Sequence, residues 1–230
     1  MTLLDVSPLV QLSVGESNSP VILMDNAFTD FDILMKRAFT VNFQPEAQFY
    51  PGVRAQTPPE YQRWLIELFN HQLLPRLVGK PSRANLISCN YSVITRRPEA
   101  LHPLQTVPHV DSTQSLNFAV VHYLNMGGHG GTAFYRHRAT GLERIQADTL
   151  NTFSQIRTAE MRESTQPPSY IVGDTEHYKK IGEIEGVVNR LAVYPQNLLL
   201  SGLIKTPFED PSQLANTRLS INAFITAELT

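Results

Sequence analysis

The sharpest chemical signal in this sequence is the run Pro108-His109-Val110-Asp111-Ser112. On an extended backbone, side chains two residues apart project to the same face. His109 and Asp111 would then present one imidazole nitrogen and one carboxylate together. A 2-His-1-carboxylate site for non-haem Fe(II) needs such a pair, plus a second histidine from another strand. Taken alone, His-x-Asp is common and reads as a surface His and Asp at a strand edge. A second pair, Arg218 and Ser220, shares a face by the same rule. A guanidinium beside a hydroxyl makes a fork for a carboxylate. On its own, that pair reads as a salt-bridged arginine on a solvated strand.

Strands must hold both pairs, and the second half of the chain supplies them. Residues 86–94 read as a strand with Ile87, Cys89, Tyr91 and Val93 on one face. Residues 117–124, 131–137, 187–194, 197–201 and 217–226 read likewise, with a glycine-rich turn at Gly127–Gly131. The first half is more helical. A short buried strand at 20–24 precedes Phe31, Leu34, Met35 and Ala38, whose spacing predicts a helix over 30–39 capped by Thr29 or Asp30. Thr57-Pro58-Pro59-Glu60 is a capping-box pattern, and Tyr61, Trp64, Leu65 and Leu68 follow at helical spacing to an end near Leu74. The polar stretch 142–165 reads as a helix with loops. Helices first and strands later predict an α+β fold, with a β-sandwich or jelly-roll core flanked by N-terminal helices. One domain is expected over 1–230, with helical support over roughly 1–80 and the barrel over roughly 85–230.

Composition narrows the functional classes. The chain has 230 residues, 42% apolar and 17% charged, which suits a globular protein with a real core. Lys and Arg number 19 against 21 Asp and Glu, a net charge of −2, so nucleic acid is not an expected partner. The single cysteine, Cys89, excludes an intrachain disulfide and a multi-thiolate metal site, and reads as a buried core thiol. No signal peptide and no apolar run of ~18–20 residues is present, so a cytoplasmic protein without membrane partners is expected. No phosphate loop and no Gly-x-Ser-x-Gly elbow occurs.

The order of the motifs is more informative than any one of them. The His-x-Asp strand comes first, then Gly130-Gly131-Thr132-Ala133-Phe134-Tyr135, then Asn189-Arg190-Leu191-Ala192-Val193-Tyr194, then the Arg-x-Ser strand. This order resembles the Fe(II)/2-oxoglutarate-dependent dioxygenase superfamily, near its prolyl-hydroxylase-like members, and a bacterial family of oxygenase-like proteins beside them. Tyr50-Pro51-Gly52-Val53-Arg54 and Tyr194-Pro195-Gln196-Asn197-Leu198 also carry the likeness. The resemblance implies a double-stranded β-helix (jelly-roll) with His109 and Asp111 as iron ligands at its mouth. It further implies Arg218 on the distal carboxylate of 2-oxoglutarate, with Ser220 assisting and Tyr91 as an additional donor. The cofactors implied are Fe(II) and 2-oxoglutarate.

The sequence departs from that pattern at one position. The superfamily's second histidine follows the strand ending at Tyr194, and here Leu200 stands in its place. A leucine side chain offers no lone pair. His177 could replace it only through an insertion that folds inwards. His122 reads as a hydrogen-bonded core histidine, His129 as solvated in its glycine-rich turn, and His137 as part of a basic surface patch between Arg136 and Arg138. His102 lies in a loop and His71 near a helix end. Two functions follow as expectations. One is an Fe(II)/2-oxoglutarate-dependent oxygenase hydroxylating an unknown substrate. The other is an inactive member of the fold that binds a small acid or a protein.

Overall fold

The computed structural model describes residues 7–45, 50–124, 130–204 and 217–230. Its frame is an eight-stranded sheet and a three-stranded sheet, antiparallel at every pairing. In chain order the strands are β1 (Leu9–Val14), β2 (Ser19–Met24), β3 (Gln44–Pro45), β4 (Gly52–Gln56), β5 (Ser82–Ile94) and β6 (Asn117–Tyr123). They continue as β7 (Thr132–His137), β8 (Tyr178–Ile184), β9 (Arg190–Pro195), β10 (Leu200–Gly202) and β11 (Leu219–Leu229). The large sheet runs β1-β2-β9-β6-β11-β5-β4-β3 and the small one β10-β7-β8.

Period-two alternation gives each central strand two different buried faces. One face of the large sheet carries Cys89, Tyr91, Val93, Val120, Leu191, Val193, Ile221 and Ala223. It packs against α1 (Phe31–Ala38) and α2 (Pro59–Leu68). The other face carries Val121, Tyr123, Ala192 and Tyr194, which meet Phe134, Ile184 and Leu200 of the small sheet. The rings of Phe134 and Tyr194 lie 5.2 Å apart, edge to face, across this gap. A third cluster covers the outer face of the small sheet, where Tyr135, Tyr178 and Leu199 pack under Phe153 of the polar helix at Leu150–Glu163.

Both predicted N-terminal helices form, with local corrections. Pro59 occupies the first turn of α2, as its fixed φ favours. Thr57 does not cap it; its hydroxyl donates to Cys89 O at 3.0 Å and ties the helix start to β5. The helical path also runs beyond Leu74, through a π-turn at Phe69–Leu73 and α3 (Leu74–Leu77). Pro75 sits in the first turn of α3, where its missing N–H is tolerated. The glycine-rich turn lies largely outside the described residues. No helix among the described residues is long and apolar enough to cross a membrane.

Candidate functional site at the mouth between the sheets

Both sequence-predicted pairs bear on one buried residue, Tyr194, through the charges of Asp111 and Arg218. His109 forms a two-residue bridge with Leu200: His109 N donates to Leu200 O and Leu200 N to His109 O, both at 2.9 Å. Residues that exchange both bonds stand directly opposite, with side chains on one face. Asp111 N donates to Gln196 O at 2.9 Å, and Gln196 Nε2 donates to Phe118 O at 2.8 Å, so the His-x-Asp segment is stitched to the end of β9. His109 Nε2 lies 3.7 Å from Asp111 Oδ1. The imidazole is 47% exposed and the carboxylate 18%, which places the pair at the rim with Asp111 turned inward. Burial raises the Asp111 pKa, and the neighbouring His109 and Arg54 oppose that rise.

Arg218 enters from the other side. It is 8% exposed, and its Nη2 donates to Gly131 O at 3.0 Å, joining the start of β11 to the start of β7. Gly131 is required by close approach: a Cβ there would lie 1.8 Å from Ile184 O. The guanidinium sits 5.8 Å from the Tyr123 ring centroid. Arg218 Nε is buried and has no hydrogen-bond partner among the described residues. Ser220 shares the face, fully buried, and its hydroxyl donates to Asn222 Oδ1 at 2.9 Å. Tyr194 connects the two sides. Burial pushes its hydroxyl pKa well up, Asp111 and Tyr123 push it further, and Arg218 pulls it back.

Two expectations are corrected, those for Tyr91 and His137. Tyr91 pairs with Ile221 and Ala55, so it projects to the helix-packed face. There its hydroxyl donates to Leu34 O at 2.9 Å, on the side opposite to Arg218 and Ser220. His137 is not on a basic surface patch. It is fully buried, with Nε2 2.9 Å from Glu160 Oε2 and Nδ1 2.8 Å from Thr140 Oγ1, because it shares the face of Tyr135 that the helix at Leu150–Glu163 covers, while Arg136 and Arg138 take the other face. His177 does not fold into the mouth; its Nδ1 lies 3.5 Å from Glu160 Oε1. His129 lies outside the described residues.

His122 is the core histidine expected of it. Its Nε2–H donates to Asn189 Oδ1 at 2.9 Å, which leaves Nδ1 to accept from the Tyr61 hydroxyl at 3.0 Å. Burial holds its pKa down at about 4, against the hydrogen bond to Asn189. Cys89 is likewise buried, which pushes its thiol up to about 12.

Sequence reasoning did not place Tyr123, Tyr194 and Arg54 on the Arg218 face of the large sheet. The signal was present in strand parity: Arg54 pairs with Ser92, Ser92 with Ser220, and Ser220 with Tyr123. That row shares the Arg218 face.

The residues do not fit a complete iron site. His109 and Asp111 supply two donors, the group facing them is the aliphatic Leu200, and no cluster of three His, Cys, Asp or Glu suited to a metal occurs among the described residues. They do fit an acid. A buried guanidinium with an unsatisfied N–H, set among tyrosines, is a ready partner for a carboxylate.

The fold has solved counterparts. HygX from Streptomyces hygroscopicus, crystallised with nickel and 2-oxoglutarate, matches at TM-score 0.53 and 8% identity over 91% of this chain and 84% of that one. The same protein with nickel, 2-oxoglutarate and hygromycin B matches at TM-score 0.54 and 10% identity, over 91% and 83%. A Pseudomonas putida prolyl-4-hydroxylase matches at TM-score 0.48 and 12% identity, over 91% and 94%. The likeness to HygX is one of fold. No curated protein sequence matches the chain. A sequence model does match it, over residues 8–225, so the chain belongs to the family of unknown function DUF6445.

Proposed function

We propose that this protein is an oxygenase-like acid-binding protein, whose mouth holds a small carboxylic acid of the 2-oxoglutarate class on Arg218. The observation that carries this reading is the buried Arg218 guanidinium, whose Nε has no hydrogen-bond partner among the described residues. An unsatisfied buried donor costs about 1–3 kcal/mol, and a carboxylate would recover it. The two sheets are read as the double-stranded β-helix, with Ser220 and Tyr123 flanking the bound acid. Binding needs no metal in this reading, because Leu200 denies the metal position its third protein donor. The protein would then act by holding the acid, in the cytoplasm, rather than by hydroxylating a substrate.

A second reading has one observation in its favour. His109 Nε2 and Asp111 Oδ1 lie 3.7 Å apart, close enough to chelate one ion together. If they bind Fe(II) with the acid supplying further donors, the oxygenase activity of the superfamily is retained on an unidentified substrate. The bound metal and 2-oxoglutarate would supply the oxidising chemistry. The chain's own part would be to fix the acid on Arg218 and exclude water with Tyr123 and Tyr194.

Calorimetry with 2-oxoglutarate, in the presence of EDTA, tests the first reading. Saturable binding that is lost in Arg218→Gln is expected. Binding seen only after Fe(II) is added would favour the second reading instead.

A further inference from the structure

The stretch 164–173 follows the polar helix at Leu150–Glu163 and connects the two sheets at the end where Arg218 enters. Residues 164–169 are exposed, and Pro167 and Pro168 among them have no N–H to offer. Over 165–173 no backbone–backbone hydrogen bond ties the stretch to the other described residues. Two adjacent side chains hold it. Ile171 is 6% exposed and packs on the outer face of the small sheet with Ala133, Tyr135 and Leu199. Val110, between His109 and Asp111, packs against the same cluster. The Tyr170 hydroxyl donates to Arg96 O at 2.6 Å. Arg96 belongs to the large sheet's side: Thr95 N and Arg96 N both donate to Pro51 O at 3.1 Å, just past the pair of Gly52 with Ile94. The preceding Val93 stands across from Leu219, the residue after Arg218. One side chain thus fastens the stretch to the small sheet and its neighbour fastens it to the large one. The Arg218 charge reaches the phenol there. Burial raises the Tyr170 pKa, Tyr50 adds to the rise, and Arg96 and Arg218 oppose it.

We propose that 164–173 is a strap gating the acid site, and that its latch, the Tyr170 hydroxyl on Arg96 O, opens to let an acid reach or leave Arg218 and closes behind it. This rests on the acid-binding reading above and adds the step that controls exchange. Arg218 is 8% exposed, so an acid reaches it only when a covering segment moves. An exposed segment with few buried contacts and few backbone hydrogen bonds opens locally while the rest stays folded. Tyr170 acts here as a positioning residue for the strap. Removing one hydrogen bond shifts an opening equilibrium by about fivefold. The acid's own contacts are untouched, so entry and exit should speed together.

Tyr170→Phe keeps the ring and removes the latch. Exchange of 2-oxoglutarate with the full chain in EDTA is followed by ligand NMR line shapes, on native protein and variant. Chymotryptic cleavage after residue 170, a site that Phe preserves, reports strap opening separately. Tyr170→Phe should raise the association and dissociation rates together by about fivefold, with Kd within about twofold of native. Cleavage should speed by about the same factor, and 2-oxoglutarate should slow it in the native protein. Equal exchange rates in the two proteins would overturn the gate and leave acid binding at Arg218 standing. Faster dissociation alone, with affinity lost in proportion, would overturn it too, since Tyr170 would then be a contact of the acid. Cleavage of the native protein that 2-oxoglutarate does not slow, although it binds, would count against the gate without any variant. If the native protein binds no 2-oxoglutarate, the acid-binding reading fails and the gate fails with it.

Discussion

The two sides of the mouth are built to different degrees of completeness. On the Arg218 side stand a buried guanidinium, the Gly131 carbonyl that positions it, and the Tyr123 ring beside it. On the His109 side the backbone frame is complete, with paired hydrogen bonds to β10 and a fixed Asp111, but the side chain facing the pair is Leu200. Leu200 is 6% exposed and packs with Phe134, Tyr194 and Ala192. Burying a leucine contributes about 1.5–3 kcal/mol, so this side has gained core where a ligand would stand. The contrast teaches that a scaffold can keep a site's frame while one side chain decides its chemistry.

The largest effect should come from the complete side. Arg218→Gln should weaken binding of 2-oxoglutarate by about 100-fold or more, since a charged, partly bidentate pair is lost in a buried place. Retained affinity in calorimetry would break the contrast at its strong end.

The next prediction concerns the opposite face of the large sheet. In an unfolded chain the His122 imidazole takes up a proton near 6.5, and in the fold only at about 4. Its contribution to stability is therefore present in full above pH 6.5 and is lost as the pH falls from there towards 4. The loss should reach about 3 kcal/mol. Urea titrations across that range should show it, and His122→Gln should flatten the slope. An unchanged slope would mean that another group titrates.

A smaller effect separates the two faces directly. Tyr91→Phe removes the hydrogen bond to Leu34 O and should cost about 1 kcal/mol of stability. Affinity for 2-oxoglutarate should stay within about twofold of native, because the removed bond lies across the sheet from Arg218. A large loss of affinity would return Tyr91 to the mouth.

Much of this was legible in the residues. The strand-rich second half, α1, α2 and the order of the motifs all follow from periodicity and turn chemistry. The strands β1, β3, β4 and β8 were missed. β1 is an edge strand with an exposed middle, and β8 reads Tyr-Lys-Lys-Ile-Gly-Glu-Ile, too polar for an apolar-run criterion. His109, Asp111, Arg218 and Leu200 could be placed because each sits in an ordered motif. Tyr91 was misplaced although its own strand held the answer. It alternates with Cys89 and Val93, an apolar set, and the Arg218 face belongs to the residues between them. His137 failed for a related reason. Flanking arginines mark an exposed face only for their own parity, and the helix that buries His137 lies far along the chain at Leu150–Glu163.

Metal titration of the native protein and of Leu200→His tests the contrast most directly. Fe(II) is added anaerobically, followed by calorimetry and by thermal melting, with and without 2-oxoglutarate. Native protein should bind 2-oxoglutarate alone and hold Fe(II) weakly. Leu200→His should lose stability without metal and regain it with Fe(II), binding the ion about 100-fold or more tighter than native, since even an outer partner of a ligand is worth roughly 10–100-fold. Tight Fe(II) binding by the native protein, abolished in His109→Ala and not improved by Leu200→His, would contradict this and establish a working metal site.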